Sequence, residues 1–462
     1  MIARGPKRAG RVTRAVVLAC AMTIVLAAGQ VLGQAGQVQA GQPNEGVNAS
    51  VEFRGSGGVV EAPVEVLSAG LLVRPRDAAG GQTTQVVAWH RVRDVRGDGL
   101  SVGAWGEVGQ ELMRAVARIE RGDGALAGDV AEPLYARLLG AGELRGPTGL
   151  VLCEVVTRVR LERQGPGGAT LAWLRWLQVA AEHAPSVGGA GGGGGGGASQ
   201  ATSWTKAQWV GQRTTLTPVV DERTGLCPQL PPVFGRGLTG PALVAMLASA
   251  EWPATDEKSI MSAGAGGAAG DPRRDALVIA LAYRVAAQFE SGGEAALGAA
   301  GASGVGVVKL AEQKQGEAAG LVLDIVAARV GDAGVRVEAR KRLSERLASL
   351  RRDETTSEIE PDDAPIDRTW QRAWVHLGLG RSLLRETEAD QRRRGLVELL
   401  HVPALFQVEH PSLAALALLE ARSEAGGMNL GAGAIEAIER ELREGLGLGE
   451  GLSEPPPASG GG

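Results

Sequence analysis

The motif Arg118-Ile-Glu-Arg-Gly-Asp123 ends an apolar stretch with helical spacing, and Arg160-Leu-Glu-Arg-Gln-Gly165 ends a similar stretch 42 residues later. A second amphipathic stretch follows each motif, from Ala131 to Leu139 and from Ala169 to Val179. A helix, a glycine-containing turn and another helix, repeated along the chain, are typical of stacked helical hairpins. Residues 105–183 are therefore predicted to form such hairpins.

The same helical texture resumes in residues 238–446. A helix that begins at Pro272 is predicted to stop at Gly292-Gly293, since paired glycines end helices. Another helix is predicted to begin directly after Asp367, which would cap its N-terminus. One stripe of this helix carries Trp370, Ala373, Trp374, Leu377, Gly378, Arg381 and Leu384. The second half of the chain is thus expected to be a helical-repeat region.

The N-terminus has the order of a secretory signal. Its first 14 residues form a basic region with five Arg or Lys side chains, and the stretch from Ala15 to Ala28 is apolar. A stretch rich in Gln, Gly and Ala follows through Val38-Gln39-Ala40. This order predicts a signal peptide over residues 1–40 and export to the periplasm or cell envelope. The segment is either cleaved or kept as an anchor, and residues 41–50 behind it are predicted to be disordered.

Residues 51–100 have the texture of β-structure. Short β-branched runs at 59–60, 64–66, 71–73 and 86–89 alternate with glycine-rich or charged turns. The pattern predicts a small β module, either a twisted sheet or a barrel like that of SH3 domains.

Two stretches carry no helical pattern. Residues 184–237 include nine glycines within Gly188–Gly197 and an extended stretch from Thr215 to Phe234, which predicts a linker or a loop insertion. The tail over residues 447–462, with its three successive prolines, is predicted to be disordered.

The overall charge argues against a nucleic-acid partner. The chain has a formal net charge of −4, and without the five basic side chains of its first 14 residues 43 basic residues face 52 acidic ones. Such a surface repels a phosphate backbone. Beyond the N-terminus no apolar run approaches the length of a membrane span, so no integral membrane domain is expected in the mature chain.

Several hairpins resemble tetratricopeptide repeats, in which small residues let two helices approach closely. Small and turn positions of one repeat are matched by Ala115, Gly122-Asp123 and Ala127. The Trp…Leu-Gly pattern of the first helix is matched in another by Trp374, Leu377 and Gly378. The repeats depart from the family because their spacing varies around 40 residues, whereas the family holds 34. A signal, a small β module and degenerate hairpins together are similar to secreted bacterial proteins of unassigned function.

This resemblance implies a mainly α fold, an α-solenoid of helical hairpins preceded by the small β module, that binds a protein or peptide partner. Arg118 and Arg381 stand where the family has aromatics, so in a concave groove they would pair with acidic groups. Trp204 and Trp209, beside the glycine tract, are candidates for exposed contacts. The predicted function is an exported, non-catalytic scaffold or interaction protein; the alternative is an envelope-polymer hydrolase or lyase on a helical scaffold.

No sequence motif identifies a catalytic or cofactor site, and none is predicted. Cys153 and Cys227 could form a disulfide after export, although a buried free thiol at Cys153 is the favoured interpretation. His376, His401 and His410 could converge with Glu398 or Glu409 as a carboxylate. However, His376 lies about 200° around its helix from Trp374, on the side expected to be exposed. Solvated or capping histidines are therefore favoured over a metal site.

Overall fold

The computed structural model describes residues 47–55, 58–75, 84–183, 219–221, 223–233, 271–299, 303–356, 368–428 and 432–446. The predicted signal peptide, the tail that was predicted to be disordered, the glycine tract and Asp367 lie outside the described residues, as do Trp204 and Trp209. The described residues comprise a sheet, a set of helices and a segment of turns between two of those helices.

The predicted β module is an open five-stranded antiparallel sheet with the strand order β4-β3-β2-β1-β5. Alternate residues such as Ala49, Val51 and Val64 face its core, which is the period expected of half-buried strands. The barrel alternative is wrong for the described residues, because β4 and β5 form the two edges and do not pair. The strands are β1 (Val47–Phe53), β2 (Val59–Leu67), β3 (Gly70–Val73), β4 (Gln85–Val87) and β5 (Val92–Arg96).

The first strand begins inside the stretch that was predicted to be disordered. Residues 47–50 belong to β1, which pairs with β2 on one side and β5 on the other. The polar residues Asn48 and Ser50 alternate with Val47, Ala49 and Val51, and this alternation suits a strand. Backbone hydrogen bonds to β2 and β5 order this strand, although its polar composition predicted disorder.

Trp89 joins the sheet to the helices. It is fully buried, its Nε1 donates to the carbonyl of Leu67 at 2.9 Å, and its backbone N–H donates to Thr148 Oγ1 at 3.1 Å. Its ring stacks on Trp105 with 6.3 Å between centroids. The sheet thus gains the packing partner that a module of this size requires.

His90, the neighbour of Trp89, is buried without a hydrogen-bond partner for either ring nitrogen among the described residues. Burial lowers the pKa of His90 to about 3, and the positive charges of Arg91 and Arg54 add to the effect. The folded state therefore holds the neutral ring over a pH range in which the unfolded chain takes up a proton.

We expect the free energy of unfolding to fall with acidity because of this ring. The folded pKa lies below the unfolded value of roughly 6.5, so the stabilisation is complete above that pH and is lost between it and about 3. Between pH 7.5 and 5, His90 should account for a loss of about 2 kcal/mol. Urea denaturation of the wild type and of His90→Leu at both pH values measures the difference. Equal pH dependence of the two proteins would show that His90 takes up its proton normally.

The first predicted hairpin is confirmed, and the second is wrong. α1 (Ala104–Glu120) and α2 (Gly124–Gly140) pack on each other across a short turn. The second pair is instead one continuous helix, α3 (Gly146–His183). The first of the two predicted helices ended at Gly165, and Pro166 follows it inside the observed helix, where an interior proline costs about 3 kcal/mol. The helix nevertheless continues, because its two halves bury side chains in the same hydrophobic core. These side chains are Val155, Val156 and Val159 before the proline and Ala169, Trp173 and Leu177 after it.

The described part of the predicted linker is a core element. Residues 219–221 and 223–233 form turns and irregular structure, not the predicted extended chain, and Leu226, Cys227 and Leu230 are at most 1% exposed. Three aromatic side chains from different helices donate hydrogen bonds to its carbonyls. These pairs are Trp173 Nε1 with Gly225 at 3.0 Å, Trp374 Nε1 with Pro228 at 2.8 Å, and Tyr283 Oη with Leu230. We name residues 223–233 the core segment.

The second half of the chain is helical, with each helix packed on its sequence neighbours. Its helices are α4 (Pro272–Ala299), α5 (Ser303–Ala311), α6 (Glu317–Val330), α7 (Ala333–Thr356), α8 (Thr369–Leu383), α9 (Ala389–Phe406), α10 (Pro411–Gly427) and α11 (Ala432–Arg440), followed by a π-helical turn (Glu441–Gly445). α4 does not stop at Gly292-Gly293 but continues to Ala299. α8 contacts α6, α7, α9 and α10, and is therefore central.

The described residues establish a mainly helical fold with a small antiparallel sheet, and a regular solenoid stays a prediction. Among the described helices, none combines the length and the apolar character that a membrane crossing requires.

Candidate functional site

α8 and α9 approach closely where two glycines face each other. A Cβ atom on Gly395 would lie 2.8 Å from the carbonyl oxygen of Gly380, and one on Gly380 would lie 2.8 Å from Leu399. Side chains one turn away can therefore meet across the two helices.

His376 on α8 and Glu398 and His401 on α9 meet in this way, and we name them the His–Glu–His cluster. Nδ1–H of His376 donates to Oε2 of Glu398 at 2.7 Å, and Nδ1 of His401 lies 3.6 Å from the same oxygen. The two imidazole rings are edge to face, with 5.0 Å between centroids. One oxygen thus faces two ring nitrogens.

The cluster runs from the protein interior to its surface. The side chains of His376, Glu398 and His401 are 1%, 26% and 42% exposed. Burial raises the pKa of Glu398, but the hydrogen bond from His376 and the charges of both histidines lower it more, so its pKa lies below the ordinary value. Glu398 is therefore an anion at neutral pH.

The sequence interpretation of His376 is wrong. An amphipathic helix has one exposed side, but helices pack on several sides of α8, and its residues opposite Trp374 are buried too. His410, the third candidate, does not join the cluster, because its Nε2 bonds to Thr369 Oγ1 at 2.7 Å. Glu398 and His401 are spaced i, i+3 and share one face of α9. That spacing is the sequence signal that could have found the site.

Arg381, predicted to line a binding groove, is only 4% exposed. Its guanidinium lies 3.0 Å from Glu290 and 3.6 Å from Glu420, and Arg329 also pairs with Glu290 at 2.9 Å. It cannot contact a partner in this position. The prediction assumed that a charged side chain replacing an aromatic faces solvent, whereas these carboxylates balance its charge inside the protein.

Arg118 is partly exposed and donates to the carbonyl of Leu126 at 2.6 Å, which links α1 to α2. Cys153 and Cys227 are free, buried thiols, so the disulfide alternative is not realised. Burial raises the pKa of both thiols to about 12, which leaves them unreactive.

An apolar strip lies on the outside of α9 and the turn behind it. Val397, Leu405 and Val408 are 52%, 49% and 92% exposed. Val397, His401 and Leu405 fall within about 80° of arc on the helix. Beside the strip is an open groove of about 500 Å³, lined by Pro403, Ala404, Leu405, Gln407, Val408, Glu409, Pro411, Gly445 and Leu446. We name the three exposed apolar residues the α9 strip.

Neither a protein-family model, nor a curated protein, nor a solved structure matches this chain. Two features of the described residues can contact a ligand: the α9 strip with its groove, and the His–Glu–His cluster.

Proposed function

We propose that the protein is a non-catalytic scaffold, exported to the cell envelope, that binds a peptide segment of another protein. The observation that carries the proposal is the α9 strip, where large apolar side chains stay in contact with water. Exposed apolar residues that are contiguous mark interaction surfaces more often than scattered ones do. Val408 alone is 92% exposed, in a chain whose other apolar side chains are mostly buried among the described residues.

The groove next to the strip suits an apolar anchor of a partner. Leu405 and Val408 belong both to the strip and to the groove lining, so one ligand would contact both. Gln407 is held by a hydrogen bond from its Nε2 to Glu441 Oε1 at 2.9 Å, which fixes the polar edge of the groove. A helical or extended peptide with apolar side chains on one side would bury the strip.

Charge favours a partner that is acidic at one end. Arg394 is exposed near the start of α9, and it lies on the same side of the helix as His401 and Leu405, within about 40° of arc. A carboxylate of the partner could pair with this guanidinium in bidentate geometry. We therefore infer a peptide with apolar anchors followed by an acidic residue.

Selection from a displayed library of random peptides on the purified chain tests the proposal. Fluorescence anisotropy would then give the Kd of the selected peptides for the wild type and for a Leu405→Asp/Val408→Asp variant. We expect the variant to bind at least tenfold more weakly, about 1.4 kcal/mol or more. Val337→Asp is the matched control, since Val337 is 51% exposed on α7, away from the strip, and should leave the Kd unchanged.

Equal affinity for the wild type and the strip variant would overturn the proposal. Turnover of a purified envelope polymer by the wild-type chain would instead favour the hydrolase or lyase alternative.

A further inference from the structure

We propose that the His–Glu–His cluster binds one divalent transition-metal ion, with Zn²⁺ as the first candidate, and that this ion links α8 to α9. His376, Glu398 and His401 each offer one ligand atom, and these atoms lie within 4.8 Å of one another. Two imidazoles and one carboxylate are a common ligand set for zinc and for other first-row divalent ions. These three residues are not members of the α9 strip, so metal binding does not depend on the proposed peptide binding.

The distances suit a metal ion between the ligands. Nδ1 of His401 and Oε2 of Glu398 are 3.6 Å apart. That is too long for a good hydrogen bond, but close to the roughly 3.4 Å that separates two ligands of a tetrahedral zinc. The 2.7 Å contact between His376 Nδ1 and Glu398 Oε2 must widen by about 0.7 Å to reach the same separation. Glu398 can make that change because its side chain is partly exposed.

The hydrogen bonding of the cluster is incomplete, and this also supports a metal site. Nδ1 of His401 is buried and has no hydrogen-bond partner among the described residues. An unpaired buried nitrogen costs about 1–3 kcal/mol, so native proteins normally give it a partner. A metal ion would occupy the His401 nitrogen and replace the proton on Nδ1 of His376, which is released to solvent.

Glu398 and His401 place one side of the cluster near the protein surface. Because His401 and Glu398 are partly exposed, water can complete the coordination after three protein ligands. The ion would hold α9 against α8 next to the close contact of Gly380 and Gly395. Since the unfolded chain lacks the assembled site, binding should raise the melting temperature.

Titration of the full chain with Zn²⁺ after chelator treatment tests the proposal by calorimetry, with the melting temperature as a second readout. We expect one ion per chain, micromolar or tighter affinity, and a rise in melting temperature. Glu398→Gln and His401→Gln should each weaken binding at least tenfold. His410→Gln is the matched control, because His410 lies at the end of the next loop and bonds to Thr369; it should bind as the wild type does.

His376→Gln is not used alone, since a change at a fully buried site can unfold the chain. The two α9 variants keep the test decisive, as their side chains are partly exposed. No stoichiometric Zn²⁺ binding by the wild type would overturn the proposal, and so would an equal loss of affinity in His410→Gln.

Discussion

Replacing Trp374 by alanine should lower the free energy of unfolding by about 4–5 kcal/mol. The ring is completely buried on α8 and packs edge to face on Trp370, with 5.0 Å between centroids. Its Nε1 also donates to the carbonyl of Pro228 in the core segment at 2.8 Å. The variant therefore leaves both a cavity and a buried carbonyl without its donor. Urea denaturation followed by circular dichroism measures the loss.

Trp374→Phe separates the two contributions. It keeps most of the ring volume but removes the Nε1 donor, so we expect a loss of about 1–3 kcal/mol from the unsatisfied carbonyl and the reduced packing. The alanine variant should also make residues 223–233 more sensitive to limited proteolysis. A loss below 1 kcal/mol for Trp374→Ala would contradict the central position of this ring.

The stripe that contains Trp374 could be predicted from sequence because helical periodicity is a local property. The same is true of β2 and β3, which contain the apolar runs at 59–60, 64–66 and 71–73 that predicted strands. In these elements the propensity of the residues and the burial of one face favour the same structure.

The core segment could not be predicted because its burial depends on distant residues. Nothing periodic marks residues 223–233, and their glycine and prolines are typical of a surface loop. The segment lies inside the protein because Trp173, Tyr283 and Trp374, on three different helices, satisfy its carbonyls. Such partners emerge only after the helices have packed.

The burial of His376 in the His–Glu–His cluster could not be predicted for a related reason. A helical wheel places His376 opposite Trp374, but which sides of a helix are buried depends on how many helices surround it. Because α8 contacts four other helices, the side opposite Trp374 is also interior. The sequence allowed His376, His401 and His410 to converge, but His410 stays apart and bonds to Thr369, and the exposure predicted for His376 is wrong.

Arg381→Ala should lower the free energy of unfolding by about 3 kcal/mol, although Arg381 was predicted to be a surface contact. The change removes one cation from a site where the side chains of Glu290 and Glu420 are only 13% and 14% exposed. Glu290 keeps Arg329 as a partner, and loss of the repulsion between Arg329 and Arg381 offsets part of the cost. The remaining penalty is the buried charge of Glu420, which loses the ion pair with Arg381.

A second substitution should reveal whether that charge is the cause. In an Arg381→Ala/Glu420→Gln double variant the side chain at position 381 is the same as in Arg381→Ala, but the carboxylate is neutralised too, so we expect most of the lost stability to return. Arg118→Ala is the matched arginine control: its guanidinium donates to Leu126 on a partly exposed surface, and its loss should cost less than about 1 kcal/mol. Urea denaturation of the four proteins gives the comparison. If the double variant is no more stable than Arg381→Ala, the arginine stabilises the fold through its packing and not through its charge.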